Sequence, residues 1–335
     1  MQERTLFLGY IHYFRALAIT FIVFGHVIDA FIWDEGSALE RILRIFISNG
    51  STLFVFIGGY LFQHLSPQYR SNKYFKSKVK HVIAPYLLIS IPALLIFTTF
   101  LERETVWQGF YDNPVFVQIG LFYMTGKHLA PLWFIPMISI FYVVSPLLIK
   151  ADKNNTIYYF LPLFIVISCF VGRGLPYQSF IHFFSVYLLG MACSKYKDTI
   201  NPILSNCTFI VGSFLIVLFF ATTEFFRVGG TMSWLNYLQK IFMSVFFLGL
   251  FFRINDKLNS KIIGYTAEVS FGVFFIHSYF ISGNKLIYTS FLEKLPAGNM
   301  IFFILLSIAT LTACVCLVFA FQKITGKYSR VLIGS

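Results

Sequence analysis

The sequence predicts an all-α, polytopic bundle of about ten membrane-spanning helices, and three observations predict it. Of 335 residues, 57% are hydrophobic and 12% are charged, roughly half the charged share of a soluble protein, and the mean hydropathy is +0.74. Apolar runs long enough for a hydrocarbon core of ~30 Å recur from end to end. The loops between them alternate between a basic class and an acidic or mixed class, as positive-inside sorting requires. No polar stretch is long enough for a separate globular domain, so residues 1–335 read as one membrane-embedded domain.

In chain order the spans fall near 10–32, 42–63, 82–101, 131–149, 156–172, 180–194, 208–226, 237–252, 266–284 and 300–322. The opening MQERTLFLGY lacks a short apolar core followed by a small-residue cleavage site, so the first span reads as a retained signal anchor. With the N-terminus in the cytoplasm, Arg4 and the loops after even-numbered spans collect Arg70, Lys73, Lys76, Lys78, Lys80, Lys150, Lys153, Lys195 and Lys197. Arg253, Lys257, Lys261, Lys323, Lys327 and Arg330 follow the same rule. The opposite loops hold Asp34, Glu35, Glu40, Glu102, Glu104, Asp112, Glu224 and Glu293 against Arg41, Arg44, Arg103, Arg173 and Arg227. Both termini are therefore expected in the cytoplasm. The apolar stretch 115–126 would reach only about 18 Å as a helix, and it reads as an interfacial or re-entrant piece on the outer side. Were it to span, every later loop would change sides.

The formal charge of +12 is spread over short membrane-proximal loops, where orientation and anionic lipid explain it. Nucleic acid is not an expected partner; the lipid bilayer is. The five cysteines, Cys169, Cys193, Cys207, Cys314 and Cys316, show no CxxC or Cys/His spacing, so no metal is expected.

The most informative segment is FRALAITFIVFGHV in the first span. Arg15 and His26 are eleven residues apart, which is about 20° past three full helical turns and a climb of ~16 Å. They share one stripe at two depths, with Ala18, Ile19 and Ile22 between them. Ionisable groups in lipid persist where they face a protein interior or a watery cavity, so the stripe reads as a site. His26 can serve there as general base or as nucleophile. Asp29, three residues on, is either a carboxylate that orients the ring or an acid at the membrane boundary.

A second cluster, YFKSKVKHVIAPYLL, gathers Lys76, Lys78, Lys80 and His81 just before the third span, with Pro85 placed to kink or start it. It reads as a positive-inside anchor or as a seat for a phosphorylated cytosolic ligand. His277 lies mid-span as a lining group or a satisfied histidine. Trp133 lines the site or belongs to an interfacial belt.

These segments, in this order, resemble the integral-membrane acyltransferase family 3. Its first helix carries an Arg and, about eleven residues later, a His, like Arg15 and His26. Its second helix reads Ser-Gly-Tyr where FVFIGGYLF (54–62) has Gly58, Gly59 and Tyr60. Its Arg-x-x-Arg before Pro-Tyr is matched by Lys78 and His81 before VIAPY, so the basic character is kept without either arginine. PLWFIPMISIFYVVSPLL (131–148) resembles the Leu-Trp-Phe helix, with Pro131 where a His is usual and His128 three residues early. YLLGM (187–191) and SFGVFFIHSYFI (270–281) resemble the late helices, His277 matching a frequent His.

The resemblance implies transfer of an acyl group, usually acetyl from acetyl-CoA, to a hydroxyl of a cell-envelope carbohydrate such as O-antigen, capsule or exopolysaccharide, in a bacterial inner membrane. The donor head would rest on Lys76, Lys78, Lys80, His81 and Arg15, and the thioester would approach His26. A transporter of glycans or lipid-linked intermediates is the alternative from another class, but the paired halves common in transporters are not visible.

Overall fold

The computed structural model describes residues 7–227 and 234–335; Arg4 and the rest of the first six residues lie outside them. The first half forms α1 (Gly9–Val27), α2 (Ala38–Ile47), α3 (Ser51–His64), α4 (Ser71–Lys78), α5 (Ala84–Thr99), α6 (Val115–Thr125), α7 (Phe134–Lys153), α8 (Thr156–Tyr159) and α9 (Leu161–Phe170). The second half forms α10 (Pro176–Lys195), α11 (Lys197–Leu204), α12 (Cys207–Phe226), α13 (Trp234–Ile254), α14 (Lys261–Glu268), α15 (Ser270–Leu292), α16 (Met300–Thr325) and α17 (Ser329–Leu332). Among the described residues no strand forms; Ile32 and Ala297 make one isolated bridge. An all-α membrane bundle is therefore the fold.

Among the described residues, seven helical stretches are long and apolar enough to cross a membrane: Gly9–Ala30, Ala38–His64, Ser71–Thr99, Phe134–Lys153, Cys207–Phe226, Trp234–Lys257 and Met300–Leu332. The expected ten is not confirmed by this count, for physical reasons visible in the remaining three. Residues 156–172 form two short pieces, α8 and α9, broken where Pro162 starts the second, because proline cannot continue the ladder of the preceding turn. α10 and α15 have the length, but His182, Ser185 and Ser194 in one, and His277, Ser278, Asn284 and Lys285 in the other, dilute their apolar character. α6 has 11 residues, ~16 Å, too short to span. It ends at Gly126, whose φ of +70° and contact with the Leu132–Trp133 backbone exclude a side chain. That turn delivers Trp133 to the start of α7.

Loops expected on one side do meet at one end of the bundle. Asp152 pairs with Lys195 at 3.2 Å, Lys197 Nζ approaches His64 Nδ1 at 3.1 Å, and the Asn201 amide reaches the Tyr10 hydroxyl at 3.3 Å. At the other end Arg41 binds the Arg227 carbonyl and Gly298 donates to the Ile32 carbonyl.

α1 is the hub. It packs against α2, α3, α13, α14, α15 and α16, and its Phe14, Ala18, Ile19 and Val23 are fully enclosed. A second close contact joins α3 to α10. A Cβ on Gly59 would overlap the Tyr187 carbonyl, and one on Gly190 would overlap that of Phe56, so each glycine admits the other helix's backbone, as small residues do in membrane helix pairs.

That reciprocity predicts a sharp contrast among neighbours. Gly59→Ala and Gly190→Ala should each lower the melting temperature of the purified protein, by an amount equivalent to about 1–3 kcal/mol of overpacking. Gly58→Ala should be tolerated, because its Cβ would meet only a Tyr187 ring carbon at 3.7 Å. Equal melting of all three variants would contradict the contact.

Candidate active site

Arg15 sits toward the end of α1 where the basic loops gather. Its Nε donates to the Ala267 carbonyl at 2.9 Å, in the last turn of α14, and the Glu268 carboxylate lies within electrostatic reach. One turn earlier His12 Nε2 bonds the Gly264 carbonyl at 2.8 Å, so α14 is fastened to α1 at two levels. Ala18 and Ile19 are fully buried and Ile22 is 6% exposed, which makes the stripe between Arg15 and His26 a packed seam.

Past the seam a cavity of about 340 Å³ opens, bordered by Ile22, His26, Asp29, Arg44, Trp133 and Arg173 among others. Helix α15 sets His277 beside His26, outside the cavity lining: the two imidazole rings are 5.3 Å apart, tilted by 38°. His277 is fully buried. Its Nδ1 faces the Val273 carbonyl at 3.1 Å, the geometry of an N–H donor, and its Nε2 is buried without a hydrogen-bond partner among the described residues. Trp133 stacks on Phe183 at 5.9 Å, 16° from parallel, and borders the cavity.

Asp29 lies where its spacing predicts, but a 3₁₀ turn (Ile28–Ala30) ends α1 there and the carboxylate turns to Arg44, at 2.9 Å. Arg44 also holds Glu40 at 2.7 Å. Asp29 thus acts on His26 through space, within a three-membered charge network.

Sequence reasoning missed the polar wall behind this cavity. Arg173 Nη2 donates to Asn49 Oδ1 at 2.5 Å, and its guanidinium lies over the Trp133 and Phe183 rings at 5.9 and 5.7 Å. Burial pulls Arg173 down to about 10, which leaves it charged at neutral pH. Lys240 of α13 is 1% exposed and donates to the Ile45 and Phe46 carbonyls at 3.0 and 2.6 Å, capping the carbonyl end of α2. Asn49 Nδ2 reaches Asn236 Oδ1 at 2.6 Å. Lys240 carried a readable signal, a charge inside an apolar run; Arg173 did not, because a loop arginine reads as topology.

At the Arg15 end the lysine cluster divides. Lys76 and Lys80 are exposed. Lys78 is drawn in, its Nζ 4.8 Å over Tyr142 and 5.1 Å over Tyr74. His81 meets Ser77 Oγ at 3.3 Å. The segment Val79–Ile83 is a π-helical turn, a local widening that recurs at functional sites, and Pro85 follows it. Arg330 of α17 lies close enough to repel Arg15, Lys78 and His81. The structure therefore brings Arg15, Lys78, His81 and Arg330 together at one end of α1, with Glu268 beside Arg15, and His26, Asp29, Trp133 and His277 together at the other, ~16 Å along the helix. Among the described residues no group of three His, Cys, Asp or Glu side chains is placed to hold a metal.

A family model described as an acyltransferase domain matches residues 8–319, essentially the whole chain. No curated protein and no solved structure matches it.

His128 stands apart from the cavity. It is fully buried, with Nε2 2.8 Å from Ser90 Oγ and Nδ1 3.2 Å from the Phe122 carbonyl, and it ties the α6–α7 turn to α5. Burial pushes it from 6.5 to about 4. Between those values the unfolded chain binds a proton that the folded protein refuses, so stability falls as pH drops from about 6.5 to about 4, by up to about 3 kcal/mol. The melting temperature of the wild type should therefore fall more steeply over this window than that of His128→Gln. Parallel curves would contradict the assignment.

Proposed function

The chain belongs to this acyltransferase family, and on that premise we propose that it moves an acyl group, most simply acetyl from acetyl-CoA, to a hydroxyl of a cell-envelope polysaccharide or lipid-linked glycan. Candidate acceptors are O-antigen, capsule and exopolysaccharide. The protein would act as one domain, residues 1–335, in a bacterial inner membrane, with both termini and the loops 64–81, 150–155, 195–200 and 253–261 in the cytoplasm.

One observation supports this above the rest: a single helix carries a basic group at one end and an imidazole facing a cavity at the other. Acyl-CoA is cytosolic and highly anionic, which suits Arg15, Lys78, His81 and Arg330 at the end where the basic loops meet. Lys76 and Lys80 would add only a diffuse field. A growing glycan is finished on the opposite side, where the His26 cavity would receive it. The pantetheine arm would have to displace the side chains of the packed seam at Ala18 and Ile19. In the transfer, His26 takes the proton of the acceptor hydroxyl, the oxygen bonds to the thioester carbonyl carbon, the C–S bond breaks, and the departing sulfur recovers the proton from the imidazolium. Asp29, from its pair with Arg44, would favour the transient imidazolium by its field, and His277 and Trp133 would shape the acceptor's position.

His26→Gln keeps a hydrogen-bonding side chain without a base. It should cut glycan acylation by about 10²–10⁴-fold while expression and membrane insertion stay normal. Near-normal acylation by a well-expressed His26→Gln protein would remove His26 from the chemistry. Arg15→Ala should also lose activity and Arg15→Lys regain only part, since lysine lacks the planar fork.

Exposure separates the lysines. Lys78→Met should raise the KM for acyl-CoA by about tenfold or more, whereas Lys76→Ala and Lys80→Ala should change it less than about twofold. An equal effect from all three would reassign the cluster to lipid anchoring. Topology follows from a cysteine-free background, where single cysteines at Ser71 and Gln108 should label from opposite faces with an impermeant reagent. Labelling of both from one face would break the proposed orientation.

A further inference from the structure

The two cavities that meet at Arg173 are lined by more positive charge than their acids balance. The His26 cavity and a neighbouring one of about 270 Å³ share Trp133 and Arg173. Between them they are lined by Arg44, Arg103, Lys127 and Arg173, and by a single acid, Asp29. Asp29 is already taken by Arg44. Among the described residues no carboxylate stands within ion-pair distance of Arg173 or of Lys240 behind it; the pairs at this end are Arg44 with Asp29 and with Glu40. Lys240 is compensated in part by the carbonyl end of α2. Arg173 has one neutral amide and two aromatic faces.

Arg173 is half-buried, and among the described residues its contacts are one neutral amide, which a neutral side chain would serve as well, and two aromatic faces that a cation favours; none of these supplies a counter-charge. A guanidinium has five N–H donors, and among the described residues one of them makes a hydrogen bond. The side chain borders the cavity that His26 borders. What that arrangement lacks is an oxyanion, which a planar fork binds through two parallel hydrogen bonds.

We propose that Arg173 is the anion-binding residue of an acceptor subsite: the acceptor carries an oxyanion, as a sugar carboxylate or a phosphate, that occupies the free edge of the guanidinium while a nearby hydroxyl faces His26. Trp133, between the two cavities, gives the sugar ring an aromatic face, and Asn49 holds the fork in place. The inference rests on the acyl-transfer reading for the fate of the hydroxyl; the binding itself does not depend on it. It narrows the acceptor to acidic glycans or to glycans still attached through a phosphate.

The test is thermal shift and intrinsic tryptophan fluorescence of the purified full-length protein in neutral detergent, with methyl glucuronide, inorganic pyrophosphate and methyl glucoside as probes. At least one anion should stabilise the protein saturably, at concentrations about tenfold lower than the neutral glucoside, and less so at high salt. A response to glucuronide assigns the charge to an acidic sugar, and a response to pyrophosphate assigns it to a phosphate linkage. Arg173→Gln should abolish the preference for anions, Arg173→Lys should keep a weaker one, and His26→Gln should bind as the wild type does. No anion preference in the wild type, or an undiminished one in folded Arg173→Gln, overturns the proposal; should Arg173→Gln fail to fold, the wild type and Arg173→Lys decide it. Active enzyme without anion preference would overturn this subsite and leave acyl transfer standing. Anion binding in a protein whose acylation survives His26→Gln would do the reverse.

Discussion

Lipid offers neither hydrogen bonds nor counter-charges, and a helix that carries ionisable groups through it must be surrounded by protein. α1 carries His12, Arg15 and His26, and the bundle is arranged around that fact. Six helices cover it. α14 supplies carbonyls to His12 and Arg15, and α15 sets a second imidazole beside His26. The glycine contact between α3 and α10 then draws the other half of the molecule in close enough for α7 and the 171–175 segment to close the cavity wall with Trp133 and Arg173.

Much of this was legible in the sequence, for reasons that can be named. Composition gave away the membrane because half the usual charge cannot cover a soluble surface. The stripe from Arg15 to His26 was readable because helical periodicity is fixed by backbone geometry and needs no tertiary information. The helix count was harder. α10 and α15 read as spans, but the serines and His277 that they bury inside the bundle leave them less apolar than the other seven, while 156–172 looks like one span until Pro162 divides it. Partners of charges were not legible at all. Asp29 has the spacing to serve His26, yet Arg44 arrives from α2 and takes its carboxylate. Nothing in YFKSKVKHVIAPYLL distinguishes Lys78, sheltered by Tyr74 and Tyr142, from its exposed neighbours.

The polar ends of α1 differ in kind, and the proposed reaction draws on that difference. One gathers the positive charges of Arg15, Lys78 and Arg330, with His81 near them and Glu268 beside Arg15, a concentration that a polyanionic donor would relieve. The other is a cavity bordered by His26, with His277 beside it, and by Arg44 and Arg173, which would suit a hydroxyl-bearing acceptor. Between them Ala18 and Ile19 pack without a gap, which would keep water and unreacted thioester apart until a donor opens the seam. The π-helical turn at Val79–Ile83 lies at the first of these ends.

The central claim is that the acyl group enters at the Arg15 end and is delivered at the His26 end. The direct measurement is sidedness in proteoliposomes of known orientation, with acyl-CoA supplied only to the face bearing Ser71 and an acceptor glycan enclosed on the face bearing Gln108. The account predicts acylation of the enclosed glycan in this arrangement and none when donor and acceptor are exchanged. Acylation only when both substrates share one face would contradict it.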